Sequence, residues 1–176
     1  FAMQACAPTG PVVAVGAEAY GQGTGQVGND VAIGAFSSFW GPTGGYNTAV
    51  GVSSLGASHS ATNSTAVGYN ALNVYDGSGS VAVGSNAAAG LVTGSIVAVG
   101  SGAALNVVGD QNTAIGTSSM GAATSGQGNI AVGHAALFNN QTDYNTAVGL
   151  GALYAVDRKS TRLNSSHVSE SRMPSS

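Results

Sequence analysis

The residues that could do acid–base chemistry are few and widely spaced. Residues 1–156 hold only five acids, and two of them, Asp110 and Asp143, fall at the same position of a repeat described below, with Gln127 in that position on the turn between. Two turns of stacked strands would separate their carboxylates by about 10 Å, whereas a retaining pair of catalytic carboxylates needs about 5 Å. We therefore predict that these carboxylates cap turns, and we expect no enzymatic activity.

The residues that could bind a metal or a phosphate are equally isolated. His59 and His134 lie at different repeat positions, so the sequence predicts no shared metal site. Cys6 is the only cysteine, and no nearby His or acid would activate its thiol. The string GQGTGQ at residues 21–26 precedes no helix pattern, which argues against a phosphate-binding loop. The sequence therefore predicts neither a metal site nor a cofactor.

One aromatic segment could bind a ligand. Between residues 36 and 46 the chain carries Phe36, Phe39, Trp40 and Tyr46, with Pro42 among them. Exposed aromatic rings could form a loop, built on Phe39, Trp40 and Tyr46, that binds a glycan or a protein on a host surface. The alternative interpretation is a hydrophobic cap or a bulged turn that closes the first coils.

The composition excludes several classes of protein. Only 6% of the 176 residues are charged, and 28 are glycine. Residues 1–156 contain no Lys or Arg, so they have no basic surface for nucleic acid. No apolar run is long enough to span a membrane as a helix. Glycine does not recur at every third residue, which excludes collagen. Low charge with abundant Gly, Ala, Ser, Asn and Val is typical of a repeat protein.

All four basic residues lie in the last twenty positions. They are Arg158, Lys159, Arg162 and Arg172, and all 28 glycines precede residue 157. The stretch DRKSTRLNSSH at residues 157–167, followed by ESRMPSS at residues 170–176, resembles the translation of a common sequencing adapter. We therefore expect residues 157–176 to be a disordered, non-native tail, and residues 1–156 to be one solenoid domain from a longer, metagenomic reading frame.

The body of the chain is a single repeat. The tripeptide Ala-[Val/Ile]-Gly occurs nine times, and its glycines, called here the repeat glycines, are 16 to 18 residues apart. The residue before the tripeptide is β-branched, the third residue after the glycine is Ala or Ser, and the fourth is often a larger apolar residue. The copies are Ala14, Val15 and Gly16; Ala32, Ile33 and Gly34; Ala49, Val50 and Gly51; Ala66, Val67 and Gly68; Ala82, Val83 and Gly84; Ala98, Val99 and Gly100; Ala114, Ile115 and Gly116; Ala131, Val132 and Gly133; and Ala147, Val148 and Gly149.

This repeat predicts an all-β fold, a parallel β-solenoid of about nine turns of 16–17 residues. Each copy supplies a short strand in which two β-branched residues share one face and the Ala occupies the other. Each turn has room for two or three such strands. Because neither face is polar, we expect both to be buried, one of them between chains. The repeat glycine marks a sharp turn or a close backbone approach.

Asn often precedes this strand. Asn47, Asn112, Asn129 and Asn145 share the position, and Asp30 occupies it in an early copy. Amide side chains can hydrogen-bond along a stack of turns and cost less to bury than like charges. We predict a structural ladder of these side chains.

The runs NTAVGVSSL, NSTAVGYNAL and GSVAVGSNAAAG resemble the head repeats of trimeric autotransporter adhesins (YadA-like heads), and also NTAVGYNAL-type repeats of phage tail fibres. The resemblance covers residues 10–156. It implies a left-handed parallel β-roll, a homotrimer, and an extracellular role in attachment on a bacterial surface or a virion. The repeats of adhesin heads are somewhat shorter than these.

Three alternatives to an adhesin stay open at this point. A phage tail-fibre shaft or receptor-binding segment would use the same repeat. An ice-binding solenoid needs a regular Thr array, but here the column mixes Thr48, Thr65, Thr113 and Thr146 with Val and Ile. A polysaccharide-cleaving tailspike needs clustered acids, which residues 1–156 lack.

Overall fold

A single parallel sheet organises the chain. The computed structural model describes residues 10–22, 28–40, 44–90 and 92–154, which form no helix and nine strands that pair in sequence order. The strands are β1 (Val12–Val15), β2 (Asp30–Ile33), β3 (Thr48–Val50), β4 (Thr65–Val67), β5 (Val81–Val83), β6 (Ile96–Val99), β7 (Asn112–Ile115), β8 (Ile130–Val132) and β9 (Thr146–Val148). Because each strand is parallel to the one before it and hydrogen-bonded to it, the chain coils as a β-solenoid, as the repeat predicts.

The register of the sheet follows the repeat. The Ala of every tripeptide pairs with the Ala of the next, from Ala14 with Ala32 through to Ala131 with Ala147. Copies 16, 17 and 18 residues long keep this register, so the length differences lie outside the strands. Nine strands enclose eight turns, one fewer than the nine expected. The described part of each turn has one regular strand rather than two or three, with isolated bridges Thr62–Ser78 and Tyr75–Val92.

Small residues line the inner wall because the coil is narrow. The strand alanines from Ala32 to Ala131 are fully buried, and so is the Ala or Ser three residues after most repeat glycines. Larger residues four after the glycine, such as Leu55, Leu72 and Met120, fill the space between the walls. Van der Waals packing of this kind leaves no room for a β-branched residue at the Ala position.

Within the single chain only one face of each strand, the alanine face, is buried, and burial of the other face between chains stays a prediction. In the described residues, the β-branched residues on either side of the Ala point away from the core, and ten of the Val and Ile among them are between 36% and 68% exposed. The strand parity places them on the opposite face from the buried Ala. We call this surface the outer sheet face.

The corner after each strand has an unusual backbone. The residues two and four after every repeat glycine have positive φ, including bulky ones such as Leu55 at 48° and Met120 at 50°. Single left-handed residues reverse the chain tightly. The corner peptides still hydrogen-bond to neighbouring turns, as when the Leu55 N–H donates to the Ala71 carbonyl at 3.0 Å. This pairing with neighbouring turns supports the strained backbone.

Candidate functional site

In the predicted structural residues, the Ala-[Val/Ile]-Gly tripeptides, the Ala forms the inner wall, the Gly forms the corner, and the Val or Ile between them lies on the outer sheet face. The nine repeat glycines have φ between 127° and 137°, a region that L side chains rarely adopt. A Cβ on any of them from Gly16 to Gly133 would lie 2.4–2.7 Å from the carbonyl oxygen of the next repeat glycine. Both predicted reasons for glycine, the turn and the close approach, are therefore confirmed.

The outer sheet face is a continuous surface of β-branched residues that runs along the whole described sheet. Its members are Val, Ile and Thr only, two per strand, and no ionisable residue interrupts them from β1 to β9. Eight steps of about 4.8 Å make the face roughly 38 Å long. Exposed and apolar patches of this length are rare on monomeric proteins. The face is therefore a candidate interface.

The predicted ladder of polar side chains is confirmed. The side chain four residues before the repeat glycine points into the coil, and its oxygen accepts a hydrogen bond from the backbone N–H at the same position one turn later. Ile96 divides the ladder into two runs. The bonds join Asn47 N to Asp30 Oδ1, Ser64 N to Asn47 Oδ1, Ser80 N to Ser64 Oγ, Ile96 N to Ser80 Oγ, Asn129 N to Asn112 Oδ1 and Asn145 N to Asn129 Oδ1, over 2.7–3.3 Å.

Asp30 is the one acid in this ladder. It is buried, and its Oδ2 accepts a hydrogen bond from the Tyr20 hydroxyl at 2.7 Å. Loss of solvent raises the pKa of the Asp30 carboxyl above its ordinary value, because desolvation outweighs the hydrogen bonds from Asn47 and Tyr20.

The predicted binding loop divides into two places. Phe39 and Trp40 pack edge to face with ring centroids 5.4 Å apart, and Phe39 packs in the same way against Phe36. Tyr46 occupies another place on the coil, directly before Asn47 of the ladder, and is 65% exposed. Pro42 lies outside the described residues.

His59 joins this aromatic cluster, which the sequence did not predict. Its ring stacks on Trp40 with centroids 5.9 Å apart and an interplanar angle of 24°. Aligning the copies on their glycines could not have shown this contact, because the two residues hold different repeat positions. We call Phe36, Phe39, Trp40 and His59 the aromatic cluster.

The predicted turn-capping role of the exposed acids is confirmed. The Asp110 Oδ1 accepts hydrogen bonds from the backbone N–H groups of Ser95 and Gln111, at 2.7 and 2.8 Å. Asp143 Oδ1 accepts one from Gln127 N–H at 2.9 Å. Asp76 does the same for two backbone N–H groups, of His59 and Ser60. Each carboxylate thus ties its own turn to the preceding one.

An open polar groove runs beside these caps. It has a volume of about 360 Å³ and crosses the loops that lead into β4 to β7. The sequence did not predict this groove, because its hydroxyls come from several turns. Alignment on the repeat glycines carries part of the signal: Thr62, Ser78 and Asp110 all lie six residues before a repeat glycine. The groove is lined by Ser60, Thr62, Ser78, Thr93, Ser95 and Asp110, with two glycines.

Cys6, most of the Gly-rich string and the tail at 157–176 lie outside the described residues. His134 is exposed. Within the described ranges, three or more His, Cys, Asp or Glu residues nowhere group as metal ligands would. The same ranges hold no helix with the length and apolar character needed to cross a membrane.

Comparison of the chain with protein-family models, with curated proteins and with solved structures finds no match.

Proposed function

We propose that this chain is a segment of an extracellular attachment fibre, a rod in which three copies share their outer sheet faces. The observation that carries the proposal is the outer sheet face itself. Its length, its β-branched composition and its exposure favour burial against another copy. A role as a rod on a bacterial surface needs no catalysis.

Charge supports self-association over binding to a charged partner. Residues 1–156 carry five acids and no bases, and none of the acids lies on the outer sheet face. Copies of the face can therefore meet without burying an ionised group, which would cost several kcal/mol for each unpaired ion. The number three and the left-handed coil come from the resemblance to adhesin heads.

Sedimentation velocity of the whole chain tests the proposal. We expect a species of three times the monomer mass of 17.0 kDa. A Val83→Lys variant should dissociate it, because Val83 lies on the outer sheet face at mid-sheet and is 38% exposed. Ser85→Lys is the matched control, since Ser85 is exposed at the corner beyond the same strand.

A well-folded monomer at micromolar concentration would overturn the trimer. If that monomer also showed thermal hysteresis, the outer sheet face would be an ice-binding surface instead. Dissociation by both Lys variants would indicate that the face is not the interface.

A further inference from the structure

The aromatic cluster and the polar groove adjoin through two consecutive residues, His59 and Ser60. His59 stacks on Trp40, and the next residue, Ser60, lines the groove. The Asp76 carboxylate accepts hydrogen bonds from the backbone N–H groups of His59 and Ser60, at 2.8 and 3.1 Å. These bonds hold in place the two residues at which the cluster meets the groove. The structure thus places an aromatic cluster next to the Ser60 end of a hydroxyl-lined groove.

The two halves have complementary chemistry. Trp40 and Phe36 remain 45% and 43% exposed, and such rings offer apolar faces to the C–H groups of a flat ligand. Ser and Thr hydroxyls in the groove can each donate and accept a hydrogen bond. Asp110 adds an acceptor whose Oδ1 is held by two backbone N–H groups. A ligand that fits both halves must have apolar C–H faces and many hydroxyls.

We infer that the aromatic cluster and the groove form a binding site for a neutral oligosaccharide. Sugar rings combine C–H faces with hydroxyls, and sites of this kind are concave with a few fixed polar groups. The negative charge of the site favours a neutral oligosaccharide over an anionic one. Asp76 and Asp110 lie at the site, and residues 1–156 have no Lys or Arg to pair with a sulfated or carboxylated glycan.

A sugar-binding site would give the proposed attachment fibre its ligand, so the biological role of the site rests on the proposed function. The binding of sugar to the site does not depend on that proposal. It lies on the corners and loops of the coil, whereas the proposed trimer uses the outer sheet face. Sugar binding and assembly can therefore be measured separately on one sample.

Trp40 is the only tryptophan in the chain, so its fluorescence reports on the site directly. The whole chain is titrated with cellohexaose, chitohexaose, maltohexaose and mannohexaose, and with a heparin-derived hexasaccharide. We expect a saturable change in Trp40 emission with at least one neutral sugar and none with the heparin fragment. No saturable change with any neutral sugar, or tighter binding of the heparin fragment, would overturn the inference.

Calorimetric measurement of sugar affinity in variants tests where the sugar binds. Thr93→Val removes one groove hydroxyl at nearly constant volume and should weaken binding about three- to tenfold, the equivalent of one hydrogen bond. His59→Ala removes the stacked ring and should weaken it at least as much. Tyr144→Ala, at an exposed ring nearer the end of the coil, is the control and should bind normally. Equal affinity of all three variants and the unmodified chain would contradict the assigned site.

Sedimentation of the same samples separates the two proposals. A monomer that binds the sugar overturns only the trimer. A trimer that binds no neutral sugar overturns only the site. Circular dichroism confirms that each variant keeps its β-structure.

Discussion

The hydroxyl of Tyr20 donates a hydrogen bond to Oδ2 of Asp30 over 2.7 Å, inside the coil. It links the corner after β1 to the first residue of β2. The other oxygen of Asp30 accepts from the Asn47 N–H of the next turn. One buried carboxyl therefore connects three consecutive copies of the repeat.

Two buried tyrosines should respond differently to loss of their hydroxyl. Tyr20→Phe removes a donor from a buried carboxyl and should lower the free energy of unfolding by about 1–3 kcal/mol. The Tyr75 hydroxyl is buried with no hydrogen-bond partner among the described residues, so Tyr75→Phe should be neutral or should raise stability by about 1 kcal/mol. Urea unfolding of both variants checks this, and equal losses would contradict it.

The pH dependence of stability should contain a contribution from Asp30. Its pKa is raised in the fold, so the folded state binds more protons than the unfolded state between the ordinary carboxyl pKa and the raised one. Stability from this group is therefore present at low pH and is lost as pH rises through that interval. Asp30→Asn should remove this slope and should raise the melting temperature at neutral pH.

Melting temperatures measured from acid to neutral pH check this expectation. Asp143→Asn is the matched control, because Asn keeps the oxygen that accepts from Gln127 N–H and Asp143 is exposed. The opposite result would be a stability difference, wild type minus Asp30→Asn, that increases as pH rises. It would show that the hydrogen bonds to Asp30 outweigh its burial.

The polar ladder should be sensitive to the loss of an acceptor. Asn112 Oδ1 accepts from both the backbone and the side-chain N–H groups of Asn129, at 2.9 and 3.2 Å. Asn112→Leu leaves these buried donors without their acceptor and should lower the free energy of unfolding by about 1–3 kcal/mol. Asn112→Ser should cost less, because Ser80 Oγ accepts the equivalent bond two turns earlier. Thermal unfolding measures both, and an equal loss would refute the ladder's role.

Glycines at the corners of two successive turns should differ sharply in their tolerance of substitution. Gly84 has φ of 137°, and a Cβ there would lie 2.6 Å from the Gly100 carbonyl oxygen, so Gly84→Ala should cost about 2–4 kcal/mol. Gly102 has φ of 62°, a Cβ there would meet only Ser118 Oγ at 3.9 Å, an ordinary contact, and Asn86 adopts a similar φ at the same repeat position. Gly102→Asn should therefore change stability little. Similar losses in the two variants would mean that crowding at Gly84 is relieved at low cost.

The strands were predictable because their residues repeat in register. Alternation between Ala and β-branched neighbours gave both the strand and its two faces. It could not tell which face lies inside, since both are apolar; the narrow coil decides, because only Ala fits its inner wall. The left-handed corner residues had no signal at all. Leu55 and Met120 are poor choices for positive φ, and only pairing with adjacent turns holds them there.

The candidate site was predictable only in part. Phe39 and Trp40 stood out by residue type, and the structure does pack them together. His59 is nineteen residues beyond Trp40 along the chain and reaches it only because the coil places successive turns side by side. The groove hydroxyls belong to loops whose residues vary from copy to copy, so only the coiled structure brings them together.

The unshifted pairing of alanine with alanine makes the turn a removable unit. Deleting residues 68–83 would join Val67 to Gly84 and restore the tripeptide. Each turn contacts chiefly its two neighbours, so the rest of the coil would close around the gap. The rod would become shorter by one step of about 4.8 Å. Duplication or deletion of whole repeats in the gene would therefore change the length of the rod without changing its fold.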